Sequence, residues 1–234
     1  GSLSDSSLDA AVRMSRPNRR RRPAKLRERR PEFVVFCEGK TEVDYVNFVR
    51  SALPERAVAL RAEQPGSARK TLHEAAAAAV EDFKKDSDDL DWAVWILCDV
   101  DDEGPKLLEL GAGRRSETSA GWAVSNPSIA VWLLMHKEQV TRHEHRDTFA
   151  REANAAGLLT GKTYKDLVPE ELIGRCGEAC EHAEKLRRRH LGNGTSFPNN
   201  NPSSNVDRML LSLVEMYNRT RAGRAAPISL KDLY

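Results

Sequence analysis

The sequence predicts an α/β fold, with a mostly parallel four-stranded sheet flanked by helices and a C-terminal helical extension. Two observations lead to this prediction. Short apolar runs typical of buried strands alternate with helical segments between residues 33 and 136. After residue 140 the pattern is helical only, over residues 148–155, 169–190 and 205–217. Strands that alternate with helices form βαβ units, and the strands of such units are parallel.

The strand predictions rest on four apolar segments, at residues 33–37, 58–62, 92–98 and 121–124. The first and third are the clearest, because they are rich in β-branched and aromatic residues and lead into polar turns. The second and fourth segments have weaker patterns. No internal repeat interrupts this order.

Three helices are predicted between and after these strands. We expect Thr41 to cap the first, which Pro54 ends. The second covers the alanine-rich residues 72–84. The third covers residues 129–136, and we expect Ser125-Asn126-Pro127 to open it, because proline is favoured just inside a helix start.

Charge is distributed unevenly along the 234 residues. The total is +2, but residues 1–31 carry +7, residues 219–234 carry +3, and the segment between them carries −8. Residues 1–31 are rich in arginine and serine and have few large apolar side chains, so we predict a disordered basic arm. We expect residues 32–140 to form the α/β core, residues 141–218 a helical cap that completes the same domain, and residues 219–234 a flexible basic tail.

The composition also excludes several classes of protein. The longest apolar runs are far shorter than the roughly 20 residues that span a bilayer, so we expect no membrane association. No apolar secretory segment is visible near residue 1. Four cysteines in a chain of this length suggest reduced thiols, and we therefore expect a cytoplasmic protein.

Carboxylates follow two of the predicted strands. Glu38 comes directly after the first strand, and Asp99 and Asp101 follow the third. Ligand sites in open parallel sheets lie at the carboxyl ends of the strands, and residues two apart in an extended segment face the same way. Glu42, one helical turn after Glu38, can reach the same space. Such oxygen ligands suit Mg²⁺ or Mn²⁺, whereas a solvated acidic turn is the ordinary alternative.

The arrangement resembles the Toprim domain of topoisomerases and primases, which has a Glu after its first strand and an Asp-x-Asp after its third. Three motifs together are more closely similar to the RloB-like family: the segment from Glu38 to Glu42 (EGKTE), the string Asp99-Val100-Asp101, and Ser125-Asn126-Pro127 before an apolar, Trp-containing helix. The resemblance covers roughly residues 33–217. It implies a Toprim-like sheet.

RloB-like proteins are linked to restriction and phage-defence loci, and related Toprim nucleases use these acids for Mg²⁺-dependent phosphodiester cleavage. The resemblance therefore implies a nuclease of antiphage, abortive-infection or restriction-linked defence. It implies Glu38, Asp99 and Asp101 as catalytic residues, and the same three together with Glu42 as metal ligands. Ala130 stands where the family has an acid, which leaves one metal or two open. We expect neither a topoisomerase nor a bacterial primase, because their extra domains are not recognisable in these 234 residues.

Two other functions remain open at this point. One is a non-catalytic Toprim-like module that binds nucleic acid or serves as the adaptor of an AAA-type ATPase complex. The other is hydrolysis of a nucleotide or another small phosphoester, since the same acids would serve. The target could be DNA or RNA, and the protein could form a homo-oligomer.

Basic residues supply the candidate contacts to nucleic acid. Each Lys or Arg that binds a phosphate releases counterions from the polyanion. The strongest signal is the arginine-rich arm, although a solvated or partner-docking arm is an equal alternative. The candidates are Arg20, Arg21, Lys40, Lys162, Lys165, Arg187 and Arg188.

Overall fold

The computed structural model describes residues 30–53, 57–65, 69–86, 91–101, 104–112, 120–220 and 226–234. Its centre is a five-stranded sheet in the order β2-β1-β3-β4-β7. The strands are β1 (Glu32–Cys37), β2 (Ala59–Glu63), β3 (Trp92–Asp99), β4 (Gly121–Asn126) and β7 (Ser203–Ser204). The first four strands are parallel, and β7 pairs antiparallel to β4. The mostly parallel α/β fold is therefore confirmed, with one more strand than expected.

Seven α-helices surround the sheet in the described part of the chain. They are α1 (Lys40–Ala52), α2 (Arg69–Asp86), α3 (Gly104–Glu109), α4 (Ile129–Leu134), α5 (Arg146–Ala155), α6 (Cys176–Gly192) and α7 (Val206–Thr220). A small hairpin of β5 (Leu159–Thr160) and β6 (Asp166–Leu167) lies between α5 and α6. Short 3₁₀ turns cover Pro169–Leu172 and Leu230–Asp232. No helix in these residues is both long and apolar enough to cross a bilayer.

The sheet is buried on both faces, which explains the continuous apolar runs of its central strands. In β1, Phe33, Val35 and Cys37 join the large core formed with α1 and α4 to α7. Val34 and Phe36 point to the other face, where α2 and α3 pack. The alternation follows from the two-residue period of a strand. The sheet edge at the carboxyl ends of β1 and β3 is thereby held in a fixed position.

The sequence predicts only helices after residue 140, but the structure has short strands there as well. The strands β5, β6 and β7 are two residues long, too short to show an alternating pattern. The predicted helix at residues 169–190 is a 3₁₀ turn followed by α6. The prediction of an all-helical cap was wrong at these places.

The C-terminal residues are also different from the flexible tail that we expected. Helix α7 continues through Thr220. Residues 226–234 pack back onto the core, where Leu233 is fully buried. The backbone N–H of Gly174 donates to the carbonyl of Tyr234 at 2.9 Å. Apolar side chains at positions 228, 230, 233 and 234 give this basic segment a face to bury. The basic arm at residues 1–29 lies outside the described residues.

Candidate active site

A cleft of about 630 Å³ opens at the carboxyl ends of β1 and β3. Its floor carries the four predicted carboxylates, Glu38, Glu42, Asp99 and Asp101, and we refer to it as the acidic cleft. Helix α1 begins at its edge, the start of α4 forms part of its floor, and α5 and the β5–β6 hairpin form its walls. The structure thus brings these four acids to one cleft, while their roles as ligands and catalytic residues stay predictions.

Backbone hydrogen bonds fix two of the acids. The amide N–H of Asp99 donates to Oε2 of Glu38 at 3.1 Å, which joins the ends of β1 and β3. The amide N–H of Ile129, the first residue of α4, donates to Oδ1 of Asp99 at 2.7 Å. A carboxylate at a helix N-terminus is stabilised by the unsatisfied amides there. Both side chains therefore have defined orientations.

Burial makes the negative charge of this cleft costly. Glu42 is 5% exposed, and its burial, together with the charge of Glu38, raises its pKa to about 7. Backbone hydrogen bonds to its carboxylate oppose this shift. Burial also raises the pKa of Asp99 well above its usual range, and the charges of Glu42, Glu38 and Asp101 add to the effect. Carboxylates in this position favour either a proton or a cation.

Asp101 is held by an unusual backbone conformation. Its φ angle is +46°, in the left-handed region that is uncommon for residues other than glycine. Its amide N–H donates to the carbonyl of Pro127 at 2.9 Å. Its Oδ2 lies 2.5 Å from Nη1 of Arg146, the first residue of α5. The backbone thus directs the carboxylate toward the wall of the acidic cleft, where Arg146 meets it.

The donor set suits a hard divalent cation. All four acids offer oxygen atoms, the ligands that Mg²⁺ and Mn²⁺ prefer. Ser128 adds a buried hydroxyl: the residue is 5% exposed, lines the acidic cleft, and its Oγ has no hydrogen-bond partner among the described residues. In the described residues no group of three or more His, Cys, Asp or Glu side chains is arranged closely enough to hold a metal ion. The oxygen chemistry and the burial of these residues are compatible with such an ion, but their present spacing does not form a ligand set.

Basic side chains flank the acids. Lys40 and Lys165 line one wall, and Arg146 and Arg151 line the other. Lys40 forms ion pairs with Asp44 and with Asp166 of the hairpin, at 2.5 and 3.0 Å. The acidic cleft therefore has basic side chains beside its acids, although Asp147 also lines it on the α5 side.

The hairpin is fixed over the start of α1 by a second contact. The hydroxyl of Thr41 donates to the backbone carbonyl of Lys165 at 3.0 Å. Thr41 is therefore not the helix cap that the sequence suggested. Gly39 is the N-cap, and Thr41 lies in the first turn of α1.

The sequence was compared with known families and proteins. The model of the RloB-like family, described as RloB-like protein, matches residues 33–213. The chain belongs to the RloB-like family. In this RloB-like protein, the matched region extends from β1 into α7 and includes every acid of the cleft. No curated protein and no solved structure matches the chain.

The structure does not bring every predicted residue to the acidic cleft. Lys162 is exposed on the hairpin turn and does not line the cleft. Arg187 forms ion pairs with Asp207 at 2.5 Å and Glu184 at 3.1 Å, and Arg188 pairs with Glu184. The pair with Asp207 joins α6 to α7, the pairs with Glu184 lie within α6, and neither arginine lines the acidic cleft. Arg20 and Arg21 lie outside the described residues.

Ser125 and Asn126 have a structural position rather than the helix-opening one that we predicted. Both belong to β4, and the N-cap of α4 is Ser128. The hydroxyl of Ser125 is 3.0 Å from that of Ser204. The amide of Asn126 donates to the carbonyl of Pro198 at 2.8 Å. The two side chains therefore contact β7 and the segment that precedes it. The helix-opening prediction was wrong because β4 continues two residues beyond its apolar run.

Sequence reasoning missed several residues of the cleft. Ser128, Arg146, Arg151 and Thr163 line it, and none was predicted as a site residue. Tyr164 has a φ of +52°, so its backbone is strained at the cleft wall. One weak signal was available: an arginine in the first turn of a helix opposes the helix dipole and calls for an acidic partner. Nothing in the local sequence pointed to that partner.

Proposed function

We propose that this RloB-like protein is a metal-dependent nuclease that hydrolyses phosphodiester bonds of DNA or RNA with Mg²⁺ or Mn²⁺, in a defence system against phage. The observation that carries the proposal is the set of four buried or half-buried acids on one cleft. Like charges held away from water are unfavourable unless a cation offsets them. Acids with basic side chains beside them suit a cation and a phosphate together.

The residues of the acidic cleft divide the work between them. Asp99, Asp101 and Glu42 would hold the metal ion, with Glu38 as a further ligand or as the acid–base group. A bound ion of this kind polarises the scissile phosphate and lowers the pKa of an attacking water. Glu38 would position that water or protonate the leaving oxygen. Lys40 and Lys165 would bind the phosphate oxygens of the substrate.

We further propose nucleic acid as the partner and the cytoplasm as the location. The charge of +7 on residues 1–31 supports the first, because an acidic cleft cannot attract a polyanion unaided. The four cysteines Cys37, Cys98, Cys176 and Cys180 are free, which suits a reducing compartment. An AAA-type ATPase subunit is a second proposed partner.

A second candidate function is favoured by one residue. Ala130 is buried and lines the acidic cleft, at the position where the resemblance leads us to expect an acid. A cleft with fewer acids suits one metal ion rather than two, or a non-catalytic module that binds nucleic acid for an ATPase partner. The two functions differ in whether the bound nucleic acid is cleaved.

A cleavage assay tests the proposal. The protein is incubated with single-stranded DNA, duplex DNA, RNA and tRNA in Mg²⁺ or Mn²⁺, beside the variants Asp99→Asn and Glu38→Gln. We expect cleavage that requires the metal and that falls by about 100-fold or more in both variants, because each loses an ionisable oxygen at the metal.

The matched control is Glu63→Gln. Glu63 ends β2 at the same edge of the sheet but does not line the acidic cleft, so this variant should cleave like the parent. Binding of the same substrates without cleavage would instead support the adaptor. Cleavage that persists in Asp99→Asn would place the activity outside this site and contradict the proposal.

A further inference from the structure

Arg146 occupies a central position between two cavities. Its guanidinium and the Asp101 carboxylate line both the acidic cleft and a neighbouring cavity of about 210 Å³, which is bordered by Pro127, His143 and Asn201. The ion pair between them has a distance of 2.5 Å. Space is therefore open to the Arg146 side chain on both sides of its present position.

The position of Arg146 in its helix does not explain this contact. Arg146 is the first residue of α5, after the N-cap His145. A positive side chain at a helix N-terminus is disfavoured by the helix dipole. In the described residues its only ion-pair partner is Asp101. The attraction of Asp101, rather than a preference of the helix, therefore holds the guanidinium at the acidic cleft.

A second arginine of this protein forms a more buried ion pair and serves as a comparison. Arg187 pairs with Asp207, whose side chain is 9% exposed, and it also bonds Glu184 and the carbonyl of Ser204. The Arg146–Asp101 pair is more open, with side-chain exposures of 42% and 18%. Partly exposed ion pairs contribute little to stability, so breaking this pair costs little.

We propose that Arg146 is an exchangeable counter-ion of Asp101, which a divalent cation displaces when it binds in the acidic cleft. The backbone of Asp101 is held by its contact with Pro127, whereas the longer Arg146 side chain borders both cavities, so the arginine is the group that moves. The buried, unpartnered hydroxyl of Ser128 in the same cleft independently points to a ligand there. The inference rests on the proposed function for the nature of the ion.

The displacement of Arg146 from Asp101 by a cation can be tested by measuring cation binding alone, without a cleavage assay. A cation that competes with Arg146 must break the ion pair, so removing the arginine should tighten cation binding. Arg151 provides the control because it lies on the same helix and lines the same cleft. Its guanidinium bonds the carbonyl of Asp147 and the hydroxyl of Thr148, within α5. Arg151→Ala thus changes the charge of the wall without freeing a carboxylate.

The experiment is a Mn²⁺ titration followed by electron paramagnetic resonance, on the parent, Arg146→Ala, Arg151→Ala and Asp99→Asn. We expect Arg146→Ala to bind Mn²⁺ about three- to fivefold more tightly, the factor that corresponds to a partly exposed ion pair. Arg151→Ala should stay within about twofold of the parent. Unchanged or weaker binding in Arg146→Ala, with an unchanged melting temperature, would overturn the inference.

Arginine side-chain NMR gives a direct second measurement on the unmodified protein. On addition of Mg²⁺, the Nε–Hε signal of Arg146 should shift while that of Arg187 stays in place. A fixed Arg146 signal at saturating Mg²⁺ would show that the ion pair persists and would contradict exchange. Tighter Mn²⁺ binding in Arg146→Ala without any nucleic-acid cleavage would support the inference while the nuclease fails. Cleavage of nucleic acid by the parent, together with equal Mn²⁺ affinities of the parent and Arg146→Ala, would support the nuclease and contradict the inference.

Discussion

Two polar clusters lie on the same pair of helices, and they differ in how their polar atoms are satisfied. The acidic cleft uses the start of α1 and of α4, at Glu42 and Ser128. One to two turns further along, Tyr45 of α1 and His136 after α4 meet Tyr234 from the C-terminal segment. We call this second group the tyrosine–histidine cluster.

The tyrosine–histidine cluster satisfies itself. Nδ1 of His136 faces the carbonyls of Trp132 and Leu133 at 3.1 and 3.2 Å, and carbonyls only accept, so Nδ1 carries the proton. Nε2 then accepts from the hydroxyl of Tyr234 at 3.0 Å. The hydroxyl of Tyr234 in turn accepts from that of Tyr45 at 2.7 Å. Burial lowers the pKa of His136 to about 4, so the chain of hydrogen bonds is neutral near pH 7.

The difference separates a cluster whose polar groups are satisfied within the protein from one whose charges are not. Neutral groups that satisfy each other stabilise a fold and need nothing from outside. The acidic cleft gathers like charges that raise one another's pKa and that only an added proton or cation can offset. Arrangements that lower stability in this way are commonly found at functional sites of proteins. Three predictions test this contrast.

The largest effect is expected in the tyrosine–histidine cluster. Tyr45→Ala should lower the free energy of unfolding by about 4 kcal/mol, because it removes a fully buried aromatic ring and leaves a cavity. Tyr45→Phe should cost about 1 kcal/mol, the value of one hydrogen bond. Urea denaturation measures both. Mn²⁺ affinity of Tyr45→Phe should equal that of the parent, and a large loss of affinity would show that the two clusters act together.

The next effect is the loss of stability in acid from His136. Its pKa is about 4 in the folded protein and 6.5 unfolded, so below pH 6.5 the unfolded state binds a proton that the folded state does not. Stability should fall as pH falls from 6.5 to 4, by up to about 3 kcal/mol. His136→Gln should be less stable overall but should lose this slope, measured as denaturation midpoints across that range. An equal slope in the variant would contradict the neutral cluster.

The acidic cleft should show a smaller effect of opposite sign. The pKa of Glu42 is raised from 4.5 to about 7, so the folded state holds a proton longer than the unfolded state. Without divalent cations, stability should fall as pH rises from 4.5 to 7, by about 2 kcal/mol, since Glu42 shares its titration with Glu38 and Asp99. Glu42→Gln should remove this loss. Saturating Mg²⁺ should reduce it in the parent, as melting curves with and without the ion would show.

Much of the fold was predictable because its signals are local. The runs at β1 and β3 are continuous and apolar, since both faces of those strands are covered. Glu38 directly follows β1, and Asp99 is the last residue of β3. The parallel order of the first four strands follows from the intervening helices. The strands β5 to β7 escaped prediction because two residues carry no period. The packing of residues 226–234 escaped it because the arginines just before this stretch made the whole segment from residue 219 look basic, although it holds a few well-spaced apolar side chains.

Only those residues of the site that have a local signal were predictable as well. Glu38, Asp99 and Asp101 could be found because strand ends place them at one sheet edge. Arg146 is 45 positions from Asp101 in the chain, and their contact depends on how α5 packs beside α4. Arg187 resembled a nucleic-acid contact because its run is basic, but Asp207 of α7 pairs with it.

The sequence by itself determined the order of strands and helices and the carboxylates that end two of the strands, because these depend on local periodicity and on the geometry of a parallel sheet. Which charged side chains come into contact depends on the tertiary packing. Burial raises the pKa of Glu42 and Asp99, the packing of α5 gives Asp101 its arginine, and the C-terminal segment completes the hydrogen bonds of Tyr45 and His136. Contacts between distant segments follow from the packing of whole elements, which no local pattern encodes.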